Sequence, residues 1–425
     1  MGRLPRTQPA FEEHEEVSKA FSSGSTAADP LALPDLDPDQ PLVFEAAEYA
    51  ARQRRLQEAL AARGLDAVLL YSIHSLYYLY GYDLAAGAAI PYGVVLAPCD
   101  GEPTACVRNT LVPWLSRSTV LRDIQSYDEP FRDDNAAQTV ALLAGRGLLA
   151  GRRIGIETRS QQLNAHDYAL VRSRTEAGGG TLVDASDLVM ELRIRKSPAE
   201  ISMMRQAGRL YDVFMAAALA AIRPGVRECD VHAQAVHAVY AAGGDDVAQP
   251  LMLMPIALSR MHCLPPSRRR LRAGDGLFVE AAGCYNRYHV VGGRTVVCGA
   301  LPGAELRAAH ARARESIELT RSLLRPGATA DAIARTVMAA RQVREHEAFY
   351  AAYGTGIGFR SLWHEDLILR AGDPHVLEPG MTLTVFGFGT EGESFAIAAD
   401  PVVITERGCD SLSALATGEL QVAGA

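Results

Sequence analysis

One stretch of this chain occurs twice, and that repetition restricts the possible folds more than any other feature. AIRPGVRECDVHAQAVHAVY (221–240) is echoed by LLRPGATADAIARTVMAARQ (323–342), and each copy sets Arg-Pro-Gly before a helix-patterned run. LRAGD (271–275) and LEPGM (377–381) form a second matched pair, each leading into an apolar strand. A period of about one hundred residues is too long for a solenoid unit and implies two half-domains related by an internal two-fold. Upstream of the first copy, Pro198 follows Ser197, a cap-and-proline start for a long amphipathic helix within ELRIRKSPAEISMMRQAG.

The segment before that helix reads differently. EAAEYAARQRRLQEALAARG is a helix closed at Gly64, AVLLYS and YGVVLAP are strands, and RRIGIE is a third. Alternating helix and strand predict an α/β domain over 43–190, followed by an α+β domain over 191–425. Residues 1–42, with SSGSTAADP and LPDLDPDQP, have no period and read as an extended arm. At 425 residues the chain is long enough for this organisation.

The formal net charge of -8 argues against a nucleic-acid partner. Seven cysteines without CxxC spacing suggest a reducing compartment. The opening MGRLPRTQPAFEEHEEV has no apolar signal core, and no apolar run approaches the ~18 residues of a membrane helix, so a cytoplasmic location is expected. Lys19 and Lys196 are the only lysines, a bias that reads as a high-GC bacterial coding sequence.

Taken in order, these signposts resemble the creatinase/aminopeptidase P/prolidase (M24) family over roughly 43–410. The resemblance implies a creatinase-type N-terminal domain followed by a pita-bread domain with its pseudo-two-fold. It also implies a homodimer in which the N-terminal domain of one subunit lies near the other's pocket. On that reading His74, Tyr77, Tyr78 and Tyr82 could form the lid, with a packed core edge as the simpler role for Tyr77 and Tyr78.

The family's metal site uses two Asp, one His and two Glu. By the flanking motifs the first Asp is Glu280 here and the second, ahead of Gly292-Gly293-Arg294-Thr295, is Val291. The His is Thr355 in Tyr353-Gly354-Thr355-Gly356, the first Glu is Phe386 after LEPGMTLT, and the last is Ala399. Val, Phe and Ala offer no donor atom, and one Glu with one Thr cannot hold two bridged ions. No metal and no cofactor is expected, and the chain should not be a metallopeptidase. The segment has no nucleotide-binding or nucleophile-elbow motif, and GTGIGF belongs to the pita-bread signature.

Creatinase also lacks the metal and uses a His as proton carrier. Counting back from Gly274 without a gap places Cys263 at that position, and a one-residue insertion places His262 there. His262 would carry protons near neutral pH, whereas Cys263 would need a lowered pKa to act as a nucleophile. Creatinase's other pocket acids align with Gly293, Phe386 and Ala399, so creatine is not the expected substrate. Glu280, on an apolar strand, should be buried and serve either as acid/base or as the partner of Arg294. His364, in FRSLWHEDL, is a candidate second imidazole. Thr355, Tyr353, His289, Phe386, Val291 and Arg294 are candidate substrate contacts.

These residues predict a metal-independent enzyme that hydrolyses a C–N bond of a small, polar or partly apolar substrate. A lyase, cyclase or isomerase on the same fold is the first alternative. A non-catalytic binding module is the second, disfavoured by the lack of a charged interaction tail.

Overall fold

The computed structural model describes residues 42–83, 93–127, 134–249, 252–259, 264–342, 350–359, 362–415, 418 and 420–424. The expected arm lies outside the described residues, as do His262 and Cys263.

The N-terminal half is a six-stranded sheet in the order β4-β3-β2-β1-β5-β6. Its strands are β1 (Ala67–Leu70), β2 (Val94–Pro98), β3 (Thr104–Arg108), β4 (Asp123–Tyr127), β5 (Arg153–Ile156) and β6 (Thr181–Asp184). AVLL is buried at every position because β1 is central, between antiparallel β2 and parallel β5. The helix Ala46–Ala62 precedes it, and the chain reverses at Gly64 with φ 61°, which a glycine adopts without strain.

The C-terminal half holds a nine-stranded sheet. Its strands are β7 (Met252–Pro255), β8 (Gly276–Tyr285), β9 (Tyr288–Cys298), β10 (Ala352–Phe359), β11 (Leu362–Ile368), β12 (Thr382–Glu391), β13 (Ser394–Ile404), β14 (Cys409–Ser411) and β15 (Gln421–Ala423). The main path runs β11-β10-β12-β13-β9-β8-β7. The repeat seen in the sequence is physical. RPG leads into the helices Glu228–Ala241 and Ala330–Ala340, while RAGD and EPGM lead into the hairpins β8–β9 and β12–β13. The two hairpins meet where Ala399 of β13 pairs with Gly293 of β9.

Each hairpin is covered on one side by a long helix, and glycines allow the approach. A Cβ at Gly283 would sit 1.9 Å from the Ala207 carbonyl oxygen of the helix Pro198–Ala221. Cβ atoms at Gly387 and Gly389 would sit 1.9 and 1.8 Å from the Ala313 and Ala309 oxygens of the helix Ala304–Leu323. Side chains alternate across a strand, so these contacts fix which residues face the helices and which face the open side. The sheet also curls, because β9 reaches β10 at the Ile357–Tyr288 bridge and Thr384 Oγ1 donates to the Val291 carbonyl at 2.8 Å.

The helix Pro198–Ala221 starts as expected, with Ser197 and Glu200 forming a reciprocal capping box. Glu200 also anchors the N-terminal domain. Arg52, 1% exposed, lies 3.7 Å from its carboxylate, and Tyr288 donates to it at 2.9 Å. Arg52 sits over the Phe44 ring at 4.4 Å and the Tyr78 ring at 4.5 Å. The N-domain aromatics are used within this same chain. Tyr77 donates to the Asn286 carbonyl at 2.7 Å, His74 packs edge-on against Phe359 at 5.3 Å, and Tyr78 and Tyr82 are buried. The lid role expected for these four residues is thus corrected: their rings are occupied by intramolecular packing. Among the described residues no helix is long and apolar enough to cross a membrane.

The Gly283 contact gives a direct stability test. Gly283→Ala should cost roughly 3 kcal/mol, because the helix backbone cannot move away without unpacking its neighbours. Gly145→Ala, where nothing lies within 4 Å of the added methyl, should change stability by less than about 0.5 kcal/mol. Denaturant unfolding of both variants would measure the difference.

Candidate active site

The residues standing at the family's metal positions converge on the open face of the sheet. Glu280, Gly293, Ala399 and Phe386 form one row of paired positions across β8, β9, β13 and β12. Val291 is two residues from Gly293 and shares its face. The row is pseudo-symmetric. Glu280 follows Gly274 at the same separation as Phe386 follows Gly380, and Glu280 precedes Gly293 as Phe386 precedes Ala399. One half-domain therefore contributes a carboxyl group and the other an aromatic ring at equivalent places.

Glu280 is 4% exposed. No hydrogen bond or ion pair reaches it from the described residues, and burial alone pushes its carboxyl up to about 8. An uncharged carboxylic acid at neutral pH can donate a proton. The expected alternative, a pair with Arg294, is corrected. Arg294 pairs with Val279, so its side chain projects to the helix face. There its guanidinium meets Asp400 at 2.9 Å and donates to the Ala399 and Leu415 carbonyls at 2.7 Å each. It is a fixed structural cation and not a substrate contact.

His289 is corrected in the same way. It is fully buried, its Nε2 accepts from the Ala248 N–H at 2.9 Å, and its Nδ1 lies 2.8 Å from the Arg287 carbonyl. These partners require the neutral Nδ1–H tautomer, and burial lowers the imidazole to about 4. Both nitrogens are spent on backbone.

On β10, Gly354 and Gly356 face Glu365, which leaves Tyr353 and Thr355 on the other side. That side also carries His364, whose ring centroid is 4.1 Å from Tyr353, and Phe386, 5.2 Å from Tyr353. His364 pairs with Thr355, is half-buried, and is held below its ordinary pKa by desolvation. Thr355 is fully buried and its Oγ1 has no hydrogen-bond partner among the described residues. A buried hydroxyl without a partner is unusual enough to require a reason.

Three neighbours were not singled out from the sequence. Phe278 lies over Gly293, where a Cβ would stand 2.7 Å from the ring. Phe388 stacks on Phe386 at 5.9 Å with planes 11° apart. Both were accessible by period-two counting from Glu280 and Phe386. The third, Glu365, is 2% exposed and forms a buried ion pair with Lys196, with Arg193 at 3.6 Å. No local pattern joins residues so far apart in the chain.

The donor set can be compared with what a divalent metal needs. Glu280 supplies a carboxyl group and Thr355 a hydroxyl, while Val291, Phe386 and Ala399 supply nothing. Among the described residues no group of three or more His, Cys, Asp or Glu side chains is placed to hold an ion. These residues do not fit a dinuclear centre.

Residues 52–195 match the creatinase/prolidase N-terminal domain, and residues 202–406 match metallopeptidase family M24. The chain is 29% identical to the ectoine hydrolase of Halomonas elongata over 399 residues, 88% of this chain and 96% of that protein. The crystal structure of dipeptidase PepE from Mycobacterium ulcerans superposes with a TM-score of 0.72 at 26% identity, covering 90% of this chain and 100% of that one. The Xaa-Pro dipeptidase from Bacillus anthracis gives a TM-score of 0.74 at 22% identity, covering 88% and 99%.

The isolation of Glu280 predicts how stability responds to pH. Its folded pKa of about 8 lies above the ordinary 4.5, so the native state binds the proton more tightly than the unfolded chain. Stability from this group is present at low pH and lost as pH rises between those values, at up to about 1.4 kcal/mol per pH unit. Glu280→Gln should flatten that part of the profile and raise the melting temperature relative to the wild type above pH 8. Thermal unfolding from pH 5 to 9 would read it, and parallel profiles would show that Glu280 is not buried as an acid.

Proposed function

We propose that this chain, which belongs to the creatinase/M24 family, is a hydrolase that breaks a C–N bond of a small substrate by acid/base chemistry led by Glu280, without a bound metal. The observation that carries the reading is the Glu280 carboxyl group, buried and without a hydrogen-bond partner among the described residues, on a face whose other motif positions are apolar. A metal centre activates water by lowering its pKa and polarises the scissile group. Here the same bond cleavage rests on proton placement. Glu280 holds a proton to give to the leaving nitrogen. His364, kept neutral by burial, has a lone pair to receive one from the attacking water. The water oxygen bonds to the electrophilic carbon, the C–N bond breaks, and the nitrogen departs with the Glu280 proton. Release of the His364 proton to solvent and uptake of one by Glu280 restore the site. The similarity to an enzyme named ectoine hydrolase supports a small non-peptide substrate, and ectoine is the first compound to assay.

Elemental analysis of protein purified without any chelator decides the metal question. We expect less than about a tenth of an equivalent of Mn, Fe, Co or Zn, and a turnover rate unchanged by chelator. One to two equivalents, with activity lost on chelation, would restore a metallohydrolase reading. With activity in hand, Glu280→Gln should lower kcat by roughly 10²–10⁴-fold with the fold intact, the usual contribution of a positioned acid. The wild-type rate should fall as pH rises through about 8, as the Glu280 proton is lost.

A further inference from the structure

The internal two-fold supplies a control for one surface. In the first half-domain, residues 223–230 run beside 267–275 as a short antiparallel ribbon. The Gly225 N–H donates to the Leu271 carbonyl, the Leu271 N–H to the Val226 carbonyl and the Glu228 N–H to the Arg269 carbonyl, at 2.8, 2.8 and 3.0 Å. In the second half-domain the N–H groups of Gly327, Leu377 and Ala330 donate to the carbonyls of Leu377, Ala328 and His375, at 2.9, 2.8 and 2.9 Å. The bridge between Arg227 and Arg270 has its counterpart between Thr329 and Val376. The backbone is thus built twice, but the side chains differ. Arg227, Arg268, Arg270 and Arg272 stand where the second ribbon has Thr329, Pro374, Val376 and Glu378. The fold does not need these arginines, and a coding bias toward Arg would have acted on both copies.

The arginines are also ordered. Arg269 turns inward to Glu228 at 3.3 Å and Asp275 at 2.7 Å, and Leu271 is buried. Alternation leaves Arg268, Arg270 and Arg272 on the outer side, all exposed, about 6.7 Å apart along the strand. The acids of the ribbon are committed, Glu228 and Asp275 to Arg269 and Asp230 to Arg227 at 2.6 Å. Arg223, Arg268, Arg270 and Arg272 have no acidic partner among the described residues. Arg227 and Arg270 even face each other across the bridge, and like charges at directly opposite positions are unfavourable. A positive strip is therefore kept on a chain whose net charge is -8. That contrast limits the size of a partner. A long polyanion would run past the strip onto the acidic remainder, whereas a short acidic segment stays within the ~8 Å over which charges act at physiological salt. The ribbon carries no Phe, Tyr or Trp on which bases could stack. In an extended peptide alternate side chains repeat at the same spacing as the arginines.

We propose that this strip docks a short acidic segment of a partner protein, bound extended, with carboxylates at alternate residues set against Arg268, Arg270 and Arg272. Each guanidinium can donate two parallel N–H bonds to one carboxylate, which supplies register as well as attraction. The proposal is independent of the hydrolase reading, because none of these arginines belongs to the site around Glu280.

Fluorescence anisotropy at pH 7 and about 50 mM salt tests it. The probe is a labelled peptide of about nine residues that alternates Glu and Thr. It should bind, and its analogue with Gln in place of Glu should bind at least about ten-fold more weakly. A peptide of the same composition with its glutamates contiguous should bind about three-fold more weakly. Arg268→Gln combined with Arg272→Gln should weaken the alternating peptide about ten-fold, while Arg325→Gln in the second ribbon should change it by less than about two-fold. Circular dichroism establishes that each variant is folded, and Arg268→Gln alone, at about three-fold, gives the same reading if the double variant is not. No binding of the alternating peptide, equal binding of its Gln analogue or of the contiguous peptide, or indifference to the Arg268 and Arg272 substitutions would each overturn the proposal. So would tighter binding of an oligothymidylate of the same charge, which would make the strip a nucleic-acid surface.

Discussion

Close packing of two helices onto two hairpins is the constraint on which the C-terminal domain depends. At Gly283, Gly387 and Gly389 the helix carbonyls come so near that no side chain fits. This contact fixes the outer face of each strand, and strand alternation then fixes the inner one. Glu280, Val291, Phe386 and Ala399 gather on that inner face because their neighbours on the other parity are committed to the helices, and Thr355 joins them from β10, whose Gly354 and Gly356 turn to Glu365. The frame of the site thus depends on glycines and backbone and not on the side chains that line it.

The electrostatics follow from the same division. Charges in the interior are paired on the outer side or at the domain junction. Arg294 meets Asp400, Lys196 meets Glu365, and Arg52 meets Glu200. Each such pair ties two elements together across the interior. Glu280 has no such partner among the described residues, and burial pushes its pKa up to about 8. The contrast between Glu280 and Glu200 shows this well. Both are buried carboxyl groups, but Glu200 has Arg52, Tyr288 and the Ser197 N–H, while Glu280 faces the open side with apolar strand neighbours.

Much of this was legible in the chain. The duplicated RPG and Gly-strand pairs announced the two-fold, and Ser197-Pro198 announced the long helix. Two residues misled because strand patterns give proximity without direction or partner. Arg294 lies one strand from Glu280, yet its pairing with Val279 turns it away. His289 shares a strand with Val291, yet both its nitrogens are bonded to backbone, one to the Arg287 carbonyl of its own hairpin and the other to the Ala248 N–H. The N-domain aromatics misled similarly: their clustering was visible, but not that Asn286 and Phe359 of the same chain receive them.

The sequence by itself determined the fold and which residue types stand at the motif positions, one carboxyl group among them. Those depend on residue identity at positions set by local motifs and by a repeat that can be counted. Only the tertiary structure decided that, among the described residues, nothing bonds to this carboxyl group or to the Thr355 hydroxyl, and that Tyr353, His364 and Phe386 join in one wall. Solvation and partner choice depend on what arrives from elsewhere in the chain, and no local pattern records that.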